Sequence, residues 1–189
     1  LAKWRGGIDE ELTQDWLKWY EKRDRNKPTF SFLFYDSPHG YSFPKDYPHQ
    51  YKPMLDEVNY LKLSNDSDRS LMMNRYKTSV HYVDSIVKQV LDKLKETGDA
   101  ENTLVIITGD HGQEVNDNLQ NFWGHNGNFT DPQVPFAIIG PKIQADKLWN
   151  NQVLTSHQDI IPTLMKNYLG VTTKIHDYSV GEDLLGAQI

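Results

Sequence analysis

The sequence predicts an α/β fold, and three stretches of it carry this prediction. Residues 103–112 read Thr-Leu-Val-Ile-Ile-Thr-Gly-Asp-His-Gly, and their unbroken apolar run is typical of a strand that is buried on both faces. Residues 29–35, Thr-Phe-Ser-Phe-Leu-Phe-Tyr, indicate a second buried strand, since they are too aromatic and too few for a surface helix. A long helical pattern lies between them. The helix and the strand after it would form a right-handed crossover if that strand pairs in parallel.

The helices are predicted from apolar residues that recur every three or four positions. A short amphipathic helix with Asp9 at its cap precedes the first strand, and Pro28 prevents its continuation. Residues 42–66 have no clear period and indicate a long ordered loop. The long helix then starts at Ser67 or Asp68 and ends at Gly98. The apolar positions are Ile8, Leu12, Trp16, Trp19 and Tyr20 in the first helix, and Met73, Tyr76, Val80, Val83, Val87, Val90 and Leu94 in the second.

Two further elements are predicted after the central strand. Residues 134–139 indicate a strand at or near a sheet edge, because Pro135 cannot donate a hydrogen bond to a neighbouring strand. A last helix is expected to start near Ser156 and to stop at Gly170, although Pro162 leaves its first residues open.

Composition excludes several classes of protein. The chain has 189 residues, a net charge of −6 and no Cys. The charge argues against a broad basic face for nucleic acid, and the lack of Cys excludes disulfides and thiolate zinc sites. No apolar run reaches the roughly 18 to 20 residues that cross a bilayer. The first residue is not Met, so we expect the chain to be part of a longer protein.

The first candidate site follows the central strand. Asp110 and His111 stand side by side between Gly109 and Gly112, and a carboxylate beside an imidazole can form half of a divalent-metal site. The alternative is an ordinary strand-to-turn junction, in which Asp110 accepts turn amides and His111 lies in solvent.

Two more histidines occupy similar positions. His39 follows the aromatic stretch in Asp-Ser-Pro-His-Gly-Tyr, and His125 lies between glycines in an aromatic loop. Ligands of open α/β sheets collect beyond the carboxyl ends of the strands, where such loops can converge. Taken singly, His39 fits a loop histidine without a ligand better than it fits a ligand, and His125 alone is only a weak signal.

Several motifs follow one another along the chain in a fixed order. They are Pro38-His39, Asn74-Arg75-Tyr76, residues 103–114, Trp123-Gly124-His125, Val134-Pro135-Phe136 and residues 159–164. This ordered set, which spans nearly the whole chain, resembles the sulfatase family of the alkaline phosphatase superfamily, and most of all its inner-membrane members of the YejM/PbgA type. The resemblance implies a three-layer α/β/α sandwich with a mostly parallel sheet, of which residues 1–189 would be the carboxyl-terminal portion, a single partial domain.

The resemblance also implies a site and its chemistry. Asp110 and His111 would bind one divalent metal ion, with Ca, Zn, Mn and Mg all possible. His39 and His125 would be the catalytic pair that contacts a sulfate or phosphate ester, by donating to its anionic oxygens or by protonating the leaving alkoxide. The parent protein would be anchored in a bacterial inner membrane through a segment outside this chain, with this domain in the periplasm.

Two departures from the family pattern bear on activity. Sulfatases commonly place Lys directly before the histidine matched by His125, and here that residue is Gly124. The family's nucleophile and a first acidic metal ligand would precede everything in this chain, so the isolated chain should be inactive. The alternative function is a non-catalytic sulfatase-like envelope domain that binds lipid, such as lipopolysaccharide or cardiolipin, or a regulatory protein.

Overall fold

The computed structural model describes residues 5–125, 133–143 and 154–186. The chain divides into two compact units, Leu1–Ala137 and Ile138–Ile189. The described part of the chain contains both helices and strands, in agreement with an α/β fold. These are α1 (Arg5–Lys22), α2 (Arg69–Glu96), β1 (Val105–Thr108), β2 (Glu114–Val115), β3 (Trp123–Gly124), β4 (Phe136–Ile139) and α3 (Ile160–Asn167). None of the described helices is long and apolar enough to cross a membrane.

Helix α1 forms where the apolar spacing predicts it, but the expected cap is wrong. The helix already begins at Arg5, so Asp9 lies inside it and is only 1% exposed. The carboxylate of Asp9 instead accepts hydrogen bonds from the backbone N–H groups of Asp36, at 3.0 Å, and Ser37, at 2.8 Å. Asp9 therefore ties α1 to the segment that carries His39.

Helix α2 organises the core of the first unit, with its predicted ends confirmed. Asp68 caps its start by accepting a hydrogen bond from the N–H of Ser70, and Gly98 follows its end in the left-handed conformation, with φ of 75°. Three apolar clusters lie along it. They are centred on Trp16, Tyr20 and Leu94, on Tyr41, Met72 and Val115, and on Phe43, Tyr82 and Ile86.

The buried face of α2 differs from the predicted one in the first half of the helix. Met72 is fully buried, whereas Val80 is 41% exposed. The buried face includes Thr78 and Ser79, whose hydroxyls donate to carbonyl oxygens of their own helix. An apolar periodicity cannot detect polar residues that are buried in this way. The predicted buried face is therefore offset by one residue from the observed one.

The predicted strand at residues 29–35 is wrong as a buried element. The segment has no regular secondary structure and pairs with no other described strand. Leu33 packs in the core around Trp16, and the hydroxyl of Ser31 accepts a hydrogen bond from the Trp16 indole. Phe30, Phe32 and Phe34 are instead 85%, 76% and 55% exposed. The phenylalanines alternate along the chain with residues that contact the core, so only one side of the segment has a covering layer.

The strands form two small sheets in the described residues. One contains β1 and β4 as neighbours. The other pairs β2 with β3 in antiparallel fashion, with Glu114 opposite Gly124 and Val115 opposite Trp123. The prediction that β1 is buried on both faces is wrong, because its residues are only half-buried or exposed. A mostly parallel three-layer sandwich remains an expectation from the resemblance.

The second unit contains α3 and the segment that follows it. Ser156 forms the start of the helical region through a capping box with Asp159, whose carboxylate accepts the N–H of Ser156 at 2.6 Å. Gly170 adopts a φ of 67° after the helix. The predicted limits of this last helix are therefore confirmed, with a 3-10 turn at His157–Asp159 preceding the α-helix proper.

Candidate functional site

The loop that carries His39 is fixed at both ends by hydrogen bonds. Asp9 holds the backbone at residues 36 and 37, as described above. Tyr41, two residues after His39, is buried and adopts a positive φ of 48°. Its hydroxyl donates to Oε1 of Gln113 at 2.8 Å, which links the His39 loop to the loop after β1. His39 itself is exposed between these two anchors.

The loop after β1 orients Asp110 and His111. Oδ1 of Asp110 accepts a hydrogen bond from the N–H of His111 at 3.1 Å, and Nδ1 of His111 lies 2.8 Å from the carbonyl oxygen of Gly112. A carbonyl oxygen can only accept, so Nδ1 carries the hydrogen of this bond. Nε2 of the neutral ring then has a lone pair that is free to bind a metal or a proton.

The third histidine is placed by a short hairpin. The loop between β2 and β3 is closed by Asn116, whose N–H donates to the carbonyl of Phe122 and whose side-chain oxygen accepts the N–H of Asn121, both at 2.7 Å. Asn116 and Asn121 both have positive φ, a conformation that Asn tolerates well. His125 follows β3 directly, so the hairpin fixes its position.

These three loops bring three imidazole rings together, a set that we call the histidine triangle. The ring centres of His111 and His125 are 4.4 Å apart, those of His39 and His111 are 5.9 Å apart, and those of His39 and His125 are 6.2 Å apart. All three pairs meet edge to face. The sequence predicted this convergence, whereas the chemical roles of the residues remain predictions.

A pocket of about 290 Å³ opens beside the triangle. Its lining combines ring nitrogens, an amide and aromatic faces, so it offers hydrogen-bond donors and acceptors next to apolar walls. No Lys or Arg lines it in the part of the chain that the structure describes. The lining residues are His39, Tyr60, Gln113, Trp123 and His125.

The residues proposed as metal ligands fit a divalent ion in part. Oδ2 of Asp110 and Nε2 of His111 are 3.9 Å apart. Two ligands that bind one ion at about 2.1 to 2.4 Å lie about 3 to 4.5 Å from each other, so this pair can share an ion. Among the described residues, however, no group of three or more His, Asp or Glu side chains is arranged around one point. The pair can thus supply only part of a coordination shell.

Sequence reasoning missed three residues of this region. Tyr60 comes from a stretch without any recognisable motif. Gln113 and Trp123 were not assigned to a site, although each lies two residues from a predicted site residue, His111 and His125. The positioning role of Asp9 was also missed, because a helical pattern does not tell which polar residue faces the core. The Trp123-Gly124-His125 sequence was the one available signal for an aromatic wall.

Comparison with known proteins agrees with the family resemblance. The pattern that defines the Sulfatase family matches residues 3–171. The "Inner membrane protein YejM" of Salmonella typhimurium is 34% identical over 120 residues, which cover 64% of this chain and 20% of that protein. The "Lipoteichoic acid synthase-like YvgJ" of Bacillus subtilis is 34% identical over 139 residues, 69% of this chain and 22% of that protein.

A third relative carries a transferase name. The "Phosphoethanolamine transferase EptA" of Salmonella typhimurium is 31% identical over 80 residues, which cover 42% of this chain and 14% of that protein. The chain spans about a fifth of the length of the first two relatives. Because the family pattern covers most of the sequence, the chain belongs to the sulfatase family.

Proposed function

We propose that this chain is part of a metal-dependent hydrolase or transferase that acts on sulfate or phosphate esters. The observation that supports this best is the convergence of His39, His111 and His125 beside a pocket, with Asp110 next to His111. The names of the relatives include sulfatases and a phosphoethanolamine transferase, which points to the same class of ester.

The residues divide the chemistry between them. Asp110 and His111 would hold one divalent ion, which would supply positive charge for an ester oxygen and for the activation of a nucleophile. His39 and His125, both exposed toward the pocket, donate hydrogen bonds to the anionic oxygens of the ester. Either ring can also donate a proton to the leaving alkoxide.

We place the nucleophile outside this sequence, as the resemblance implies. The isolated chain should then bind metal weakly and turn over no ester, because a transfer site without its nucleophile keeps only electrostatic stabilisation. We also place the parent protein in a bacterial inner membrane with this domain in the periplasm; YejM, whose name describes an inner membrane protein, supports the first part.

A metal titration tests the ligand pair in this chain. Zn²⁺, Mn²⁺, Ca²⁺ and Mg²⁺ are added in turn, and binding is followed by calorimetry and by the imidazole NMR signals. The double variant Asp110→Ala, His111→Ala should lose the binding. The matched control is the double variant His176→Ala, Asp177→Ala, which removes an exposed, adjacent His and Asp elsewhere in the chain and should keep the binding. Equal binding by all three proteins would refute the assignment.

An activity assay tests the reaction in the longer protein. Hydrolysis of p-nitrophenyl sulfate and p-nitrophenyl phosphate is measured for the parent protein and for its Asp110→Ala, His111→Ala variant. We expect turnover of at least one ester by the parent and a large loss in the variant. Equal turnover in both would end the enzyme hypothesis and would leave the non-catalytic alternative, binding of lipid or of a regulatory protein.

A further inference from the structure

Tyr60 and Gly124 are in unusually close contact at the edge of the pocket. A β-carbon built on Gly124 would lie 2.9 Å from the hydroxyl oxygen of Tyr60 and 3.0 Å from its Cε1 atom. Gly124 also has a φ of 82°, which side-chain-bearing residues rarely adopt. Glycine at position 124 is therefore what allows the Tyr60 ring to lie here, in the space where a side chain from residue 124 would start.

Contacts from α2 hold the loop that presents Tyr60. Asn74 donates from its side-chain amide to the carbonyl of Pro53 at 2.8 Å, and Arg75 donates to the carbonyl of Leu55 at 3.0 Å. Asn59 then caps the short 3-10 helix Tyr60–Lys62 by accepting the N–H of Leu61. The ring is thus presented from an anchored segment.

The Tyr60 hydroxyl is available for a ligand. The residue is 49% exposed, and its hydroxyl makes no hydrogen bond with any residue that the structure describes. A phenol is a neutral donor and acceptor, and it faces the same pocket as His39 and His125.

We propose that Tyr60 is a substrate-contacting residue that determines specificity. Its hydroxyl donates a hydrogen bond to an anionic oxygen of the ester. The ring lies in the space that a side chain at position 124 would otherwise occupy. This inference rests on the proposed function of the pocket. Because a hydrogen bond from a neutral donor to an anion is screened by salt less than an ion pair is, the contribution of Tyr60 to oxyanion binding should depend only weakly on ionic strength.

Inorganic phosphate is the probe that tests this role. The imidazole signals of His39 and His125 are followed by NMR while phosphate is added to the wild type and to the variants Tyr60→Phe and His125→Ala. Tyr60→Phe removes only the hydroxyl, and it should weaken binding by about tenfold, the loss expected for one hydrogen bond to a charged group. Tyr51→Phe is the matched control, because Tyr51 packs against His81 outside the pocket, and it should have no effect.

A double-mutant cycle tests the steric part of the argument. Gly124→Ala should weaken phosphate binding in the wild-type background, because the new methyl group displaces the Tyr60 ring. In the Tyr60→Ala background that clash is absent and only the strain of the positive φ at residue 124 remains, so Gly124→Ala should weaken binding by less than it does in the wild type. Far-UV circular dichroism confirms that each variant is folded.

The possible results separate this inference from the function on which it rests. If His125→Ala weakens phosphate binding while Tyr60→Phe leaves it unchanged, the role of Tyr60 is refuted and the ester site stands. If the wild type shows no phosphate-dependent change in any histidine signal, the ester site and the role of Tyr60 both fall. If Gly124→Ala has the same effect in both backgrounds, the steric coupling of the two residues is refuted.

Discussion

The buried carboxylate of Asp9 gives a direct test of how the His39 loop is held. Its two oxygens accept the N–H groups of Asp36 and Ser37. An Asp9→Asn variant keeps one accepting oxygen and replaces the other with an NH₂ group, which cannot accept. A hydrogen bond to a charged group contributes about 1.5–3 kcal/mol, so the free energy of unfolding should fall by about that amount. This is a large share of the roughly 5–15 kcal/mol that holds a typical domain together.

Urea unfolding followed by far-UV circular dichroism measures this change. With slopes of about 1–3 kcal/mol per M, the midpoint should fall by about 0.5–3 M. Asp15→Asn is the matched control on the same helix, because Asp15 is exposed and forms an ion pair with the exposed Lys18, and such pairs contribute little. The His39 imidazole signal should broaden or shift in Asp9→Asn alone. A midpoint equal to that of Asp15→Asn would refute the claim that this carboxylate anchors the loop.

Two further predictions concern acid stability and the exposed aromatic face. Hydrogen bonds from Thr97, Tyr20 and Arg23 lower the pKa of Asp99 to about 2, so its stabilising effect is complete above about pH 4 and is lost as the pH falls toward 2. The free energy of unfolding of the wild type should fall by about 1–2 kcal/mol over that pH range, allowing for solvent screening. Asp99→Asn should make the free energy of unfolding depend less on pH. Parallel pH profiles of the two proteins would contradict this. Phe32→Lys should reduce dye binding and light scattering by breaking the exposed phenylalanine face. Val180→Lys, at an exposed apolar residue of another segment, should not; equal effects would count against a contiguous patch.

The sequence was most informative where local chemistry decides the structure. The limits of α2 follow from Asp68 and Gly98, and both act within one turn of the chain. The positions of His39, Asp110 and His111 after apolar stretches predicted that the loops would converge, and the rings of His39, His111 and His125 do lie within about 6 Å of one another.

Prediction from the sequence was wrong where contacts between residues far apart in the chain determine the structure. The segment at residues 29–35 has the composition of a buried strand, yet burial and pairing require a neighbouring strand that composition cannot supply. Asp9 was predicted to cap a helix. Its carboxylate instead accepts two backbone N–H groups of a segment far along the chain, and a local pattern cannot reveal such partners. Tyr60 carries no local signal at all, and its place in the pocket depends on contacts with residues far along the chain, from α2 to Gly124.

The histidine triangle can also serve as a probe of unfolding, independently of catalysis. Its rings come from three distant segments, each held by its own hydrogen bonds, so their proximity exists only while the tertiary structure is intact. A small ion that needs two of these rings would be released as the chain opens. Its release during a denaturant titration should coincide with the loss of helix if the unit unfolds in one step, and should come earlier if a single loop detaches first.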